Sequence, residues 1–219
     1  MVDIFDEVEE DLRAERAGRL LKKYAGVIVA AAVLVVLAVG GWQAWRWWQG
    51  KQDVAAATRF VTAMSIADTA GSDKSGQQAA IAQFDALATA GPEGYRTLAR
   101  LRAAALKADS GDLSGAAQLW NAVAADGSAD PLLRDLASLL WAQHQIDTGD
   151  PALLEARLKA LATPGNAWES LAQEQLAVLD LRQGKKDAAK AELRKLAQDV
   201  TAPNGVRGRA AGLLAQLGG

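Results

Sequence analysis

The stretch LARLRAAALKADSGDLSGAAQLWNAVA, residues 98–124, reads as a helix, a turn and a second helix. Apolar residues recur at intervals of three and four on both sides of Gly111-Asp112, the period of a helix with one buried face. Gly-Asp is a dipeptide that opens turns. The unit recurs. Take Gly111, Gly149 and Gly184 as reference points, 38 and 35 residues apart. Seven residues before each stand Ala104, Ala142 and Ala177; twelve before, Ala99, Ala137 and Ala172; thirteen before, Leu98, Leu136 and Leu171. Nine residues after come Trp120, Leu158 and Leu193, then Val123-Ala124, Leu161-Ala162 and Leu196-Ala197 at the twelfth and thirteenth places.

Alanine at fixed positions lets two helices approach closely, and the bulky ninth residue fills the gap between neighbouring hairpins. A degenerate earlier unit fits with Ser75 in the glycine's place, which puts Phe84, Leu87 and Ala88 at the same offsets. At the far end Ala211, Leu213 and Gly218 match a first helix alone, and a lone last helix caps the exposed apolar face of a stack. The turn clusters GSDKSG (71–76), GPEG (91–94), TPGN (163–166) and TAPNG (201–205) separate the helical patterns. No β-branched run outside the amino-terminal region reads as a strand. The expected fold is all-α, a stack of helical hairpins.

Ahead of the stack lies YAGVIVAAAVLVVLAVGGWQAW, residues 24–45, without one Asp, Glu, Lys or Arg. As a helix its twenty-two residues reach ~33 Å against a hydrocarbon core of ~30 Å. A soluble buried helix is usually shorter and carries a polar stripe. Arg13, Arg16, Arg19, Lys22 and Lys23 crowd its amino side, whereas Arg46 and Lys51 alone lie close to the other end. Basic residues stay cytoplasmic during insertion and acidic ones count for little, so the acidic start (Asp3, Asp6, Glu7, Glu9, Glu10, Asp11, Glu15) does not reverse the orientation. The run exceeds the apolar core of a cleaved signal, ~7–15 residues. Trp42, Trp45, Trp47 and Trp48 at one end and Tyr24 at the other suit the two interfaces of a permanent anchor. The expected organisation is a cytoplasmic tail over 1–23, one transmembrane helix over 24–45 in contact with membrane lipid, and a repeat domain over 46–219 on the far side.

These residues resemble tetratricopeptide repeats, whose period is about 34. Gly111-Asp112 is followed by Ala116, and Gly184 by Ala189 at the same spacing. Gly149-Asp150 keeps the turn, but Leu154 takes the alanine's place and Pro151 follows at once, where proline suits the first turn of a helix. Taken end to end, over roughly residues 5–217, the chain resembles the YfgM-like family, the ancillary subunits of the bacterial SecYEG translocon. The echoes are the span ending in Gly41-Trp42, Gly94-Tyr95 with Ala99 and Leu101, and Ala167-Trp168 leading to LRQGKKDAAKAEL (181–193). The amino-terminal tail is longer and more acidic than the family's.

That resemblance implies a non-enzymatic adaptor in the bacterial inner membrane, amino terminus cytoplasmic and repeat domain periplasmic. It implies as partners the SecYEG translocon and a membrane-anchored prolyl-isomerase-like periplasmic chaperone. A scaffold for cell-envelope or outer-membrane assembly is the alternative. In tetratricopeptide-like stacks the first helices line the concave side, which makes Leu101, Leu139, Gln143 and Ile146 candidate partner contacts. Trp168, at a helix start after Gly165-Asn166, is a further one; Trp120 and Trp141 fall at core positions of the register.

No catalytic, cofactor or metal site is expected. The chain has no cysteine and one histidine, His144, which cannot build a usual zinc site and lacks a nucleophile for a triad. It falls where Leu106 and Leu179 stand in the other units, a half-buried packing or capping place. Gly205, Gly208 and Gly212 follow no strand, so they read as a helix-capping turn rather than a dinucleotide loop. Glu169 with Glu174, and Asp187 with Glu192 among lysines, read as solvated faces. Residues 51–219 hold 18 Lys/Arg against 19 Asp/Glu, a near-neutral balance without the basic stripe of a nucleic-acid binder. No small-molecule substrate is expected.

The charge asymmetry about residues 24–45 generates a topology test. A reporter active only outside the cytoplasm, fused after Gly219, should work, and the mature chain should retain its amino-terminal segment. Activity from a cytoplasmic reporter alone, or a mature chain starting near Thr58, contradicts the assignment.

Overall fold

A computed structural model describes residues 4–218, with side-chain surroundings for residues 23–27 and 29–218. The ionisable side chains from Asp3 to Lys22, on which the expected orientation rests, lie outside the described residues. Among the described residues there are helices and no strands. The helices are α1 (Ile4–Ala70), α2 (Lys74–Ala90), α3 (Glu93–Asp109), α4 (Leu113–Ala124), α5 (Pro131–Gln145), α6 (Pro151–Leu161), α7 (Glu169–Arg182), α8 (Lys186–Gln198) and α9 (Asn204–Gln216).

The chain divides into two compact units between Asp53 and Val54. In the first, α1 includes a stretch long and apolar enough to cross a membrane, with none of that stretch buried in the protein. Val27, Val33, Leu34, Val35, Val36 and Leu37 are all exposed. The chemistry changes at its end: the Arg46 guanidinium lies 4.8 Å from the Trp42 ring and the Lys51 ammonium 3.7 Å from the Trp47 ring, within cation–π range.

The second unit is the stack. Residues 54–70 of α1 supply the first helix of the first hairpin. Ala56, Ala63 and Ala67 are buried there with Phe84 and Leu87 of α2 and Ala99 and Ala103 of α3. Phe60 packs edge-on against Phe84 at 5.4 Å. Ala63 stands twelve residues before Ser75, the offset of Ala99, Ala137 and Ala172 from their glycines. All three of those alanines, and Ala104, Ala142 and Ala177, have no exposed surface. Trp120, Leu158 and Leu193 are buried at the ninth place, and Phe84 in the first unit.

Caps and turns follow from residue chemistry. Asp112, Asp130 and Asp150 accept backbone N–H groups at the starts of α4, α5 and α6, satisfying donors a helix start leaves free. At Gly111 and Gly184 φ is +91° and +78°. Each is followed by an N–H that reaches back five residues, from Asp112 to Lys107 and from Lys185 to Asp180, both at 2.8 Å. That is the left-handed closure glycine favours. The middle hairpin differs: Gly149 bonds to the Gln145 carbonyl at 2.7 Å without a positive φ, and Leu154 is fully buried at the place of Ala116 and Ala189.

Two expectations need correcting. In α9, Ala211 is exposed and Ala210 is buried in its stead, with Val206 twelve residues before Gly218. The place seven before the glycine packs on a helix's own partner, and no second helix follows α9 among the described residues. Gly205, Gly208 and Gly212 lie inside α9 rather than in a capping turn.

First helices touch one another along the stack (α3 with α5, α5 with α7, α7 with α9), while among the described residues α4, α6 and α8 do not. The first helices therefore crowd one side of the stack. Trp120→Ala and Leu193→Ala should each cost roughly 2–5 kcal/mol, as truncations of fully buried side chains do. Chemical denaturation checks this; unchanged midpoints for both variants would contradict the register.

Candidate interaction groove

α5 and α7 bring two helical stripes face to face. On α5 these are Leu136, Leu139, Leu140 and Gln143; on α7, Leu171, Glu174 and Gln175, with Trp168 just ahead of the helix. With Arg209 of α9 they line a groove of about 410 Å³. The spacing of three and four residues is what places each set on one side of its helix.

The TPGN turn fixes one wall. Asn166 accepts the Trp168 backbone N–H at 2.8 Å and donates its amide to Asp135 at 2.8 Å. The Trp168 indole N–H donates to the Leu132 carbonyl at 3.0 Å. The last two of these bonds tie the start of α7 to the start of α5, and the first orders the turn, which together hold the indole half-buried at the groove's edge.

The floor carries an ion pair. Glu174 is 4% exposed and accepts from Arg209 Nε and Nη2, both at 2.6 Å. Hydrogen bonding to Glu174 raises the Arg209 pKa above its ordinary value, against the opposing effect of burial. Ten residues before the reference glycines the earlier units place Leu101 and Leu139; the third unit places Glu174. Glu174 is therefore not part of a solvated face. A cation thirty-five residues later in the chain makes its burial tolerable, since an unpaired buried carboxylate is costly. Its neighbour in that expectation, Glu169, is half-buried and accepts the Gly165 N–H at 3.0 Å.

The five anticipated contact residues separate. Leu139 is buried in the groove floor, Gln143 is exposed at its rim, and Trp168 forms its edge. Leu101 does not line the groove; it is buried in the central core with Ala104, Ala116 and Trp120. Ile146 is the cap that follows α5, and its carbonyl accepts from Arg182 at 2.8 Å, a guanidinium that also holds the Gly149 carbonyl. Leu136, Leu140, Leu171, Gln175 and the Glu174–Arg209 pair were not anticipated as groove residues. The available signal was leucine thirteen places before each glycine: Leu98 is 37% exposed, and Leu136 and Leu171 are half-buried, more open than core packing requires.

The other singled-out residues have structural surroundings. His144 is half-buried, its Nδ1 2.9 Å from the Leu140 carbonyl and its ring 4.5 Å from that of Trp120. Trp141 is buried beneath the Arg157 guanidinium at 4.0 Å; burial lowers that guanidinium's pKa from its usual value. Among the described residues no three His, Cys, Asp or Glu side chains gather where they would hold a metal ion.

The family model described as "Tetratricopeptide repeat-like domain" matches residues 19–139, more than half of the chain. The chain belongs to the tetratricopeptide repeat-like domain family. No curated protein and no solved structure matches it. Membership in this family makes the stack a helical-repeat module of the kind that binds other proteins, typically without enzymatic activity. In this tetratricopeptide repeat-like chain the matched residues end on α5, while the hairpin pattern continues through α8.

The ion pair generates a paired-variant test. Arg209→Met leaves the Glu174 carboxylate without its partner and should cost about 1–3 kcal/mol, because the half-exposed guanidinium gives way to water in part. Glu174→Leu combined with Arg209→Met restores the leucine of the earlier units and should recover most of that loss. Thermal melting of both proteins checks it; equal damage in both contradicts a pair whose main role is mutual neutralisation.

Proposed function

We propose that the chain is a single-span, membrane-anchored adaptor of the bacterial Sec translocon. In this reading residues 1–23 are cytoplasmic, 24–45 cross the inner membrane, and 46–219 form a periplasmic repeat domain. The anchor docks beside SecYEG, and the stack links translocating chains to a membrane-anchored prolyl-isomerase-like chaperone. The observation that carries the interaction role is the groove between first helices of a tetratricopeptide repeat-like stack. The translocon and chaperone rest on the end-to-end resemblance to the YfgM-like family.

Leu139, Gln143 and Trp168 are proposed to meet the partner directly. Leu101 and Ile146 act beneath them, one by packing α3 into the core and the other by fastening the end of α5. A groove between rigid helices suits such a role because its walls are already ordered, so binding loses less conformational entropy than folding a loop around a partner.

Affinity capture from a detergent extract of membranes tests this reading. Recovery with translocon subunits and a prolyl-isomerase-like chaperone is expected. Recovery with cell-envelope or outer-membrane assembly proteins instead would replace the translocon assignment with the scaffold alternative.

A further inference from the structure

Sulfur is scarce in this chain. It has no cysteine and two methionines, Met1 and Met64, and Met64 lies half-buried in the part of α1 that belongs to the stack. Along with Phe60 and Tyr95 it packs against the buried cluster that joins the first hairpin to α3. Its Sδ accepts the Arg102 Nε–H at 3.1 Å, a bond from α3 to α1. The pairing is lopsided, because a guanidinium carries five N–H donors and a thioether sulfur is a weak acceptor. Two other cations of α3 find carboxylates, Arg100 on Asp126 at 3.0 Å and Lys107 on Asp85 at 3.4 Å. Among the described residues Arg102, itself half-buried, bonds to the sulfur alone. Leu140 and Gln175 stand at its place in the next two units, nine residues before the reference glycines, so repeat packing does not call for a cation there.

Oxidation of the sulfur removes that mismatch. A peroxide delivers one oxygen to a thioether: a sulfur lone pair attacks one peroxide oxygen, the O–O bond breaks, and the departing hydroxide takes the proton of the new S–OH to leave as water. Sulfur loses two electrons, the peroxide gains them, and the product is a sulfoxide. In a packed site the polar S–O group ordinarily disrupts its surroundings, because a strong acceptor without a donor is costly to bury. At Met64 a charged donor is already in place. A cationic N–H facing an S–O oxygen makes a charge-assisted hydrogen bond, stronger than the one to sulfur. Nε lies 3.1 Å from Sδ, so the unbranched, flexible side chain needs only a turn to bring the added oxygen onto the guanidinium.

We propose that Met64 is a site of oxidation by hydrogen peroxide and similar two-electron oxygen donors, with Arg102 as the group that receives the sulfoxide oxygen. The oxidised stack keeps its first hairpin fastened to α3. A methionine sulfoxide reductase, with a dithiol as reductant, restores the thioether and releases the oxygen as water while the dithiol becomes a disulfide. The site is independent of the adaptor reading and of the groove between α5 and α7.

The test uses the full chain in lipid nanodiscs, treated with hydrogen peroxide, with peptide mass mapping to read Met64 apart from Met1. Met64 should gain one oxygen while helicity is kept, and the melting midpoint of the wild-type stack should stay level or rise. In Arg102→Leu, which puts the leucine of the next unit at that place, the same oxidation should lower the midpoint by about 3–6 °C, as loss of one hydrogen bond to a charged group would. Methionine sulfoxide reductase with a dithiol should return both proteins to their starting midpoints. Met64→Gln, whose carboxamide oxygen stands in for the sulfoxide, should melt no lower than Met64→Leu, and this pair decides the matter if Arg102→Leu does not fold. The inference is overturned if Met64 takes up no oxygen in the folded chain, if oxidation lowers the midpoint equally with and without Arg102, or if Met64→Gln melts well below Met64→Leu.

Discussion

Two helices can approach closely only where neither presents a side chain much larger than a methyl group, and the repeat stack depends on that constraint. Ala99, Ala137 and Ala172, with Ala104, Ala142 and Ala177, have no exposed surface, so each first helix meets its neighbours at backbone distance. Close approach leaves a gap further along the pair, which Phe84, Trp120, Leu158 and Leu193 fill. Small and large residues must therefore keep a fixed separation, and overpacking either place costs about 1–3 kcal/mol. The turns inherit the constraint, because the second helix has to start in register with the first. Left-handed Gly111 and Gly184 satisfy it with the same closure. The middle hairpin, with Leu154 where the others have alanine, closes differently at Gly149.

Much of this was legible because it repeats. One offset recurring in three units is difficult to produce by composition alone, and the buried alanines stand where the offsets put them. The helix boundaries were legible for a different reason, since GPEG, TPGN and TAPNG mark chain that cannot continue a helix. What escaped was set by tertiary context. The first helix of the first hairpin is hidden inside α1, which runs into it with no proline or turn to announce a new element. The register points to Ala211 rather than Ala210 because it assumes a second helix packed on the first, and among the described residues none follows α9.

The groove was half legible for a related reason. The repeat fixes what packing needs, and the groove is what packing leaves free. Leu139 and Gln143 could be reached by extending the register, and Trp168 by noticing that no register claimed it. Glu174 could not: among Glu169, Gln173 and Gln175 it has the composition of a solvated face. Its partner Arg209 belongs to α9, thirty-five residues away. Only folding brings them together, and the bidentate pair then lets a charge occupy a position that the preceding units fill with leucine. A groove that is apolar, neutral and flanked by carboxamides results from that exchange.

The helix α1 contains the same backbone geometry put to two uses. Over residues 54–70 one face is buried, through Ala56, Ala63 and Ala67, and the other is exposed, as a helix of a water-soluble stack requires. Over residues 24–45 every described position is exposed although almost all are apolar. A helix apolar all round suits a protein core or lipid, and among the described residues none of the candidate span is buried. The tryptophans between the two regimes, with Arg46 and Lys51 over two of their rings, combine an apolar body with a polar or cationic tip, the chemistry favoured where hydrocarbon gives way to water. A helix keeps its backbone hydrogen bonds internal in water and in hydrocarbon alike, so one kind of element suits either surrounding.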